Sequence, residues 1–120
     1  MNQKVERLLA DLQHELAEGT PVVVEGIKDI KAFQDVGVEG KFFRLSSSSM
    51  SELAERISSK KVIILTDFDR FGESAAKKLK DFFLNEDVKP DLSFRKRFRR
   101  LLGVVHFEQL PTLLAQERNQ

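Results

Sequence analysis

The chain has 120 residues, 41% of them hydrophobic and 32% charged, with a formal net charge of +1; this fits one globular domain over residues 1–120 and excludes a disordered or strongly polyionic chain. It contains no cysteine and no tyrosine, which excludes disulfides, thiolate zinc sites, cysteine nucleophiles and any phosphotyrosine link to DNA. No apolar run approaches the roughly 20 residues of a membrane helix, and the N-terminal MNQKVERLLADLQHELAEG is charged throughout, so no secretory leader, a cytoplasmic location and no membrane partner are expected.

Val5, Leu8, Leu9, Leu12 and Leu16 recur at helical spacing and predict a helix over residues 2–18, stopped by Gly19. Pro21 opens PVVVE, a β-branched run expected of a buried strand. IKDIKAFQDVG predicts a short helix with Ile27, Ile30 and Phe33 on its inner side, and GKFFRLS a second strand. Ser46 to Ser49 read as a polar loop, in which Ser49 and Glu52 form a capping box for a helix from Met50 to Ser58. KVIILTD is the third strand. A helix beginning after Gly72 turns Ala75, Leu79, Phe82 and Phe83 inward and is broken by Pro90. A basic amphipathic helix follows, with Phe94, Phe98, Leu101 and Leu102 buried, and Gly103 ends it. GVVHF then predicts the fourth strand, and Gln109 to Ala115 a last helical turn or two. This alternation implies an α/β fold with a parallel sheet covered by helices and one extra helix in front.

In such sheets ligands bind beyond the carboxyl ends of the strands. Two segments place acids there: VVVEG ends in Glu25, and IILTDFDRFGE delivers Asp67 and Asp69 before Gly72. An aspartate directly after apolar strand residues is costly unless a cation meets it. If the first and third strands are neighbours, three carboxylates share one rim and a divalent ion relieves their repulsion. Oxygen donors without cysteine suit magnesium, with manganese as a substitute.

VEG (Glu25, Gly26) followed by TDFDRFGE (Asp67, Asp69, Gly72) resembles the signature of the Toprim domain, found in topoisomerases, bacterial-type primases, RecR-like repair proteins, OLD-type nucleases and ribosomal-RNA-maturing nucleases. The resemblance covers residues 20–108, and the chain as a whole is most similar to small stand-alone Toprim proteins of bacteria and archaea. It implies a Rossmann-like four-stranded parallel sheet, Asp67 and Asp69 as metal ligands, and Glu25 as a general acid or base that also ligates the metal. Phe68 stands where many members carry proline or glycine, and Phe71 precedes the glycine; each either packs under the loop or meets a base.

Absences prune the Toprim activities. Topoisomerase chemistry needs a tyrosine, the primase and RecR types need cysteine for zinc, and no G-x-x-x-x-G-K-[ST] loop is present for an ATPase. Two readings remain: a metal-dependent nuclease or phosphotransferase acting on RNA in preference to DNA, or a nucleic-acid or nucleoprotein binding module that needs a partner for turnover. The first rests on the similarity of Val24 to Asp29 to the VEGK-D stretch of the RNA-maturing nucleases. Lys28 and Arg70 flank the acids and are candidate phosphate contacts, as are Arg95, Arg97 and Arg99 of RKRFRR; one solvated helix face explains that block as well. Asp29 and Glu73 are expected to serve helix starts, and His14 and His106 to be structural. The N-terminal helix packs either on its own sheet or on a second copy or protein partner.

Overall fold

The structure, a computed structural model, describes residues 2–119. The leading helix, α1 (Gln3–Ala17), starts at Asn2, whose side chain accepts the Lys4 N–H at 2.7 Å. Then come β1 (Val22–Val24), α2 (Ile27–Asp35), β2 (Phe42–Arg44), α3 (Met50–Arg56), β3 (Lys61–Ile64) and α4 (Arg70–Asn85). β4 (Lys89–Asp91), α5 (Ser93–Leu102) and α6 (Leu110–Arg118) complete the order, with one-turn 3-10 helices at Leu45–Ser47 and Phe107–Gln109.

The four strands form a wholly parallel sheet in the order β2-β1-β3-β4. The chain runs from β1 outward to β2, then returns past β1 to lay β3 on its other side. The crevice where strand order reverses therefore lies between β1 and β3, whose ends carry the conspicuous acids. Both faces are covered, and burial follows the two-residue period of the strands. Val22, Val24, Ile63 and Leu65 face a core shared with α1, α2, α5 and α6. Val23, Val62 and Ile64 face a second core with α3 and α4. The α1 residues Val5, Leu8, Leu12 and Leu16 sit in the first core, so the leading helix packs on its own sheet. Phe33, Phe98 and Phe107 form the aromatic centre of that core, with ring centroids 5.4–5.9 Å apart.

Several elements differ from expectation. The fourth strand is Lys89–Asp91, in register with Lys61, Val62 and Ile63, and not GVVHF. Pro90 does not break α4, which ends at Asn85; it sits inside this edge strand, where a missing N–H is tolerated. Lys89–Asp91 has no apolar alternation to betray it, while Lys61 ties it down by reaching Asp91 at 3.4 Å and Glu15 at 2.9 Å. The β-branched Val104 and Val105 instead lie in a loop that leaves α5 through Gly103, whose φ of 64° is left-handed. Part of the serine loop forms a 3-10 turn, and Ser49 caps α3 by accepting the Glu52 N–H at 3.2 Å. Ile27 is 58% exposed rather than inward.

Candidate metal centre

β1 and β3 deliver their acids to the same crevice. Leu65 N–H bonds Val23 C=O at 2.9 Å, which extends the pairing past the end of β3. Glu25 then follows β1 directly, and its Oε2 accepts the Asp67 N–H at 2.6 Å. The two chain segments that bear the acids are thus in hydrogen-bond contact.

Each aspartate uses one carboxylate oxygen to fix its own position. Asp67 Oδ1 accepts the Phe107 N–H at 2.8 Å, and Asp69 Oδ1 accepts the Gly72 N–H at 2.7 Å as the N-cap of α4. The second oxygens converge: Asp67 Oδ2 lies 3.4 Å and Asp69 Oδ2 3.7 Å from His106 Nδ1. One donor atom from each of Asp67, Asp69 and His106 lies within 4.8 Å of the others. Among the described residues this is the only group of three or more such side chains so arranged. Two carboxylates each held by a backbone amide at one oxygen, with their second oxygens aimed at one point, are a donor set that fits a divalent cation. Glu25 lies outside the trio and reaches it through the Asp67 backbone.

The loop carrying the aspartates is pinned from several sides. Thr66 Oγ1 donates to Gly72 C=O at 2.7 Å. Gly72 is the third residue of α4, not its predecessor, and a Cβ there would fall 2.0 Å from Asp67 O. Only glycine lets the helix approach so closely. Val105 C=O accepts the Phe68 N–H at 2.7 Å, so the loop after α5 closes over the aspartates.

Arg95 corrects the reading of RKRFRR as five solvated cations. It is 7% exposed. Its Nε donates to Thr66 C=O at 2.8 Å, its Nη2 to Asp67 C=O at 2.5 Å and to Glu73 Oε1 at 2.6 Å, and its guanidinium stacks 4.0 Å from the Phe68 ring centroid. It braces the aspartate loop from beneath and is not available to phosphate. Phe68 accordingly packs under the loop, against Arg95 and Phe107, whereas Phe71 is 64% exposed. Arg97 pairs with Asp11 at 3.0 Å, and Arg99 donates to Val104 C=O at 3.1 Å. Glu73 serves Arg95, and Asp29 accepts the Gly26 N–H at 3.1 Å at the start of α2.

An open cleft of about 500 Å³ adjoins the aspartates. Glu25, Asp29, Asp67, Glu108, Lys28 and the apolar Ile27 and Phe71 line it, with Ser46 at its edge. Arg70 is exposed at the first turn of α4. Burial raises the Glu25 carboxyl above its ordinary value, and the neighbouring Asp67, Asp69 and Asp29 charges add to this. Burial also pushes Asp29 up to about 6, helped by Asp67. His106 is raised by its hydrogen bond to Asp67.

Sequence reasoning missed Arg95 as a brace and His106 as a neighbour of the aspartates. Arg95 had a signal: it precedes Phe98 by three residues and so shares its buried helix face. His106 had none, because only the return of the loop after α5 brings it to the site.

Residues 20–101 match the family model described as Toprim domain. The chain is 36% identical over 122 residues to a UPF0292 protein of Methanosarcina acetivorans, covering 98% of this chain and 85% of that protein. A UPF0292 protein of Thermococcus kodakarensis is 40% identical over 82 residues, 68% of this chain and 62% of its own length. A solved structure of a protein from Aquifex aeolicus superposes with a TM-score of 0.80 at 23% identity, over 90% of this chain and 99% of that one, a likeness of fold. No described helix is long and apolar enough to cross a membrane.

Proposed function

The chain belongs to the Toprim domain family, and from that premise we propose that it performs metal-dependent phosphodiester chemistry on nucleic acid, with RNA preferred to DNA. The observation that carries this reading is the convergence of the second carboxylate oxygens of Asp67 and Asp69 on one point of the switch crevice, beside His106. Asp67 and Asp69 would hold the divalent ion, magnesium by their oxygen chemistry with manganese as substitute. When bound, the ion supplies charge neutralisation and Lewis acidity for a phosphodiester.

The remaining roles belong to side chains. Glu25, with its carboxyl raised by burial, is suited to take or give a proton nearer neutrality than an ordinary glutamate. Lys28 lines the cleft as a phosphate contact, and Arg70 stands exposed at the start of α4. Exposed Phe71 and Ile27 offer apolar surface to an unstacked base at the cleft mouth. Arg95 acts at one remove, by fixing the carbonyls of Thr66 and Asp67. The preference for RNA rests on the likeness of Val24 to Asp29 to the corresponding stretch of the RNA-maturing Toprim nucleases.

One observation favours the second reading, a binding module that needs a partner. Lys28 is the only cation among the residues lining the cleft, and with exposed Arg70 it gives this chain few charges to neutralise a nucleic acid there, so a partner would supply the rest. Cleavage of structured RNA and single-stranded DNA by the purified chain separates the two. Cleavage is expected with magnesium, none with chelator, and a fall of at least about 100-fold in an Asp67→Asn, Asp69→Asn double variant. Asparagine keeps the acceptors for Phe107 and Gly72 N–H, so the variant tests the charge and not the fold. Activity that survives in it is contamination and ends the enzyme reading; RNA binding without cleavage supports the module.

A further inference from the structure

Two carboxylates alone describe a magnesium-type centre, but a nitrogen stands where their open oxygens meet. His106 Nδ1 lies 3.4 Å from Asp67 Oδ2 and 3.7 Å from Asp69 Oδ2. Its position is fixed by the backbone on both sides. Val105 C=O accepts the Phe68 N–H at 2.7 Å, and Phe107 N–H bonds Asp67 Oδ1 at 2.8 Å. The residues flanking His106 in the chain are therefore bound to the very loop that bears the aspartates. The Gln109 side chain steadies the His106 N–H at 3.4 Å, and Phe107 is anchored in the aromatic core against Phe33 and Phe98. The imidazole itself is 40% exposed, so its ring can turn without disturbing the core.

We propose that His106 is a third side-chain ligand of the divalent ion, and that this nitrogen makes the centre bind manganese more tightly than magnesium. The inference rests on the two-aspartate centre proposed above and deepens it. Magnesium is a hard ion that takes oxygen and dehydrates reluctantly, whereas imidazole gains affinity along the first-row transition series. Asp67, Asp69 and His106 would supply two oxygens and one nitrogen, and water or phosphate oxygens would complete the ion's ligands. The imidazole rests against both carboxylates, on the side to which their second oxygens turn. Ligation uses the Nδ1 lone pair, so the proton that Nδ1 directs at Asp67 leaves it as the ion enters: to water if the ring is doubly protonated, or by shift of the neutral tautomer to Nε2.

The test uses the whole chain and the metals alone. Binding of Mn2+ is followed by loss of the free-ion paramagnetic resonance signal, with Mg2+ as competitor, and the bound ion is examined for 14N coupling from a coordinated imidazole. The wild-type chain is expected to prefer Mn2+ by about tenfold or more and to show that coupling. His106→Ala is expected to lose the coupling and about tenfold in Mn2+ affinity while Mg2+ affinity moves by less than about twofold, so that the preference collapses. His106→Gln should restore the contact to the aspartates without restoring the coupling. Bound Mn2+ with no nitrogen coupling in the wild type, or an unchanged Mn2+ to Mg2+ ratio in His106→Ala, overturns the proposal and leaves the two-aspartate centre standing. Failure of the centre itself reads differently: the wild type then binds no Mn2+, or the Asp67→Asn, Asp69→Asn variant binds it as well as the wild type.

Discussion

The carboxyl rim of the sheet and the basic helix α5 were equally conspicuous as clusters of charge, and the fold treats them oppositely. At the rim, backbone amides occupy one oxygen of Asp67 and one of Asp69 and leave the others facing a shared point. On α5, Arg95 is buried against carbonyls, Arg97 is paired with Asp11 and Arg99 is bonded to Val104 C=O. Charge density in a sequence therefore does not identify a site. What marks a candidate is how much bonding capacity the fold leaves free for a ligand.

Substitutions can break that contrast, beginning with the largest expected effect. Arg95→Ala removes the donors of two buried carbonyls and the stack on Phe68, and should cost about 4 kcal/mol in urea denaturation. An Arg95 that served only nucleic acid would be nearly silent in that measurement. Gly72→Ala should cost about 3 kcal/mol, because the added Cβ must push Asp67 O away, and it should weaken metal binding in parallel.

Asp29→Asn should act in the other direction. The folded-state value of about 6 lies above the ordinary 3.8, so the native state favours the protonated form and ionisation costs stability. That cost is absent below pH 3.8, grows between there and about 6, and is complete above. Asparagine removes it while keeping an acceptor for Gly26 N–H. In metal-free buffer the variant should gain about 2 kcal/mol at pH 7.5, within a ceiling of about 3 set by 1.36 kcal/mol per pH unit, and nothing at pH 3.5. The smallest effect belongs to Arg97→Gln with Arg99→Gln, which should change RNA affinity by less than about twofold and leave the salt slope alone. Lys28→Gln should reduce that slope by about one. A flattened slope in the arginine pair would return α5 to the nucleic-acid face.

Most of the fold was legible because burial leaves a period behind. VVV and KVIIL could only be central strands, and the stripes of α1, α4 and α5 showed their inner faces. β4 was hidden because an edge strand of Lys, Pro and Asp is held by register and an ion pair rather than by apolar alternation. GVVHF looked like a strand because β-branched residues also fill loops that dock on a core. Glu25, Asp67 and Asp69 could be singled out, since acids at strand ends need a reason. The bonding that fixes each one could not, because it depends on Phe107, Gly72 and Arg95 arriving from other elements. His106 is the extreme case: 39 residues separate it from Asp67, and only the loop's return unites them.

On the reading proposed above, Asp67 and Asp69 hold a divalent ion at the crevice between β1 and β3. A crystal of the chain soaked in manganese and measured at the manganese absorption edge tests it directly. An anomalous peak is expected within about 2.5 Å of Asp67 Oδ2 and Asp69 Oδ2. An empty crevice in a manganese-soaked crystal, or a peak only at other carboxylates, would contradict it.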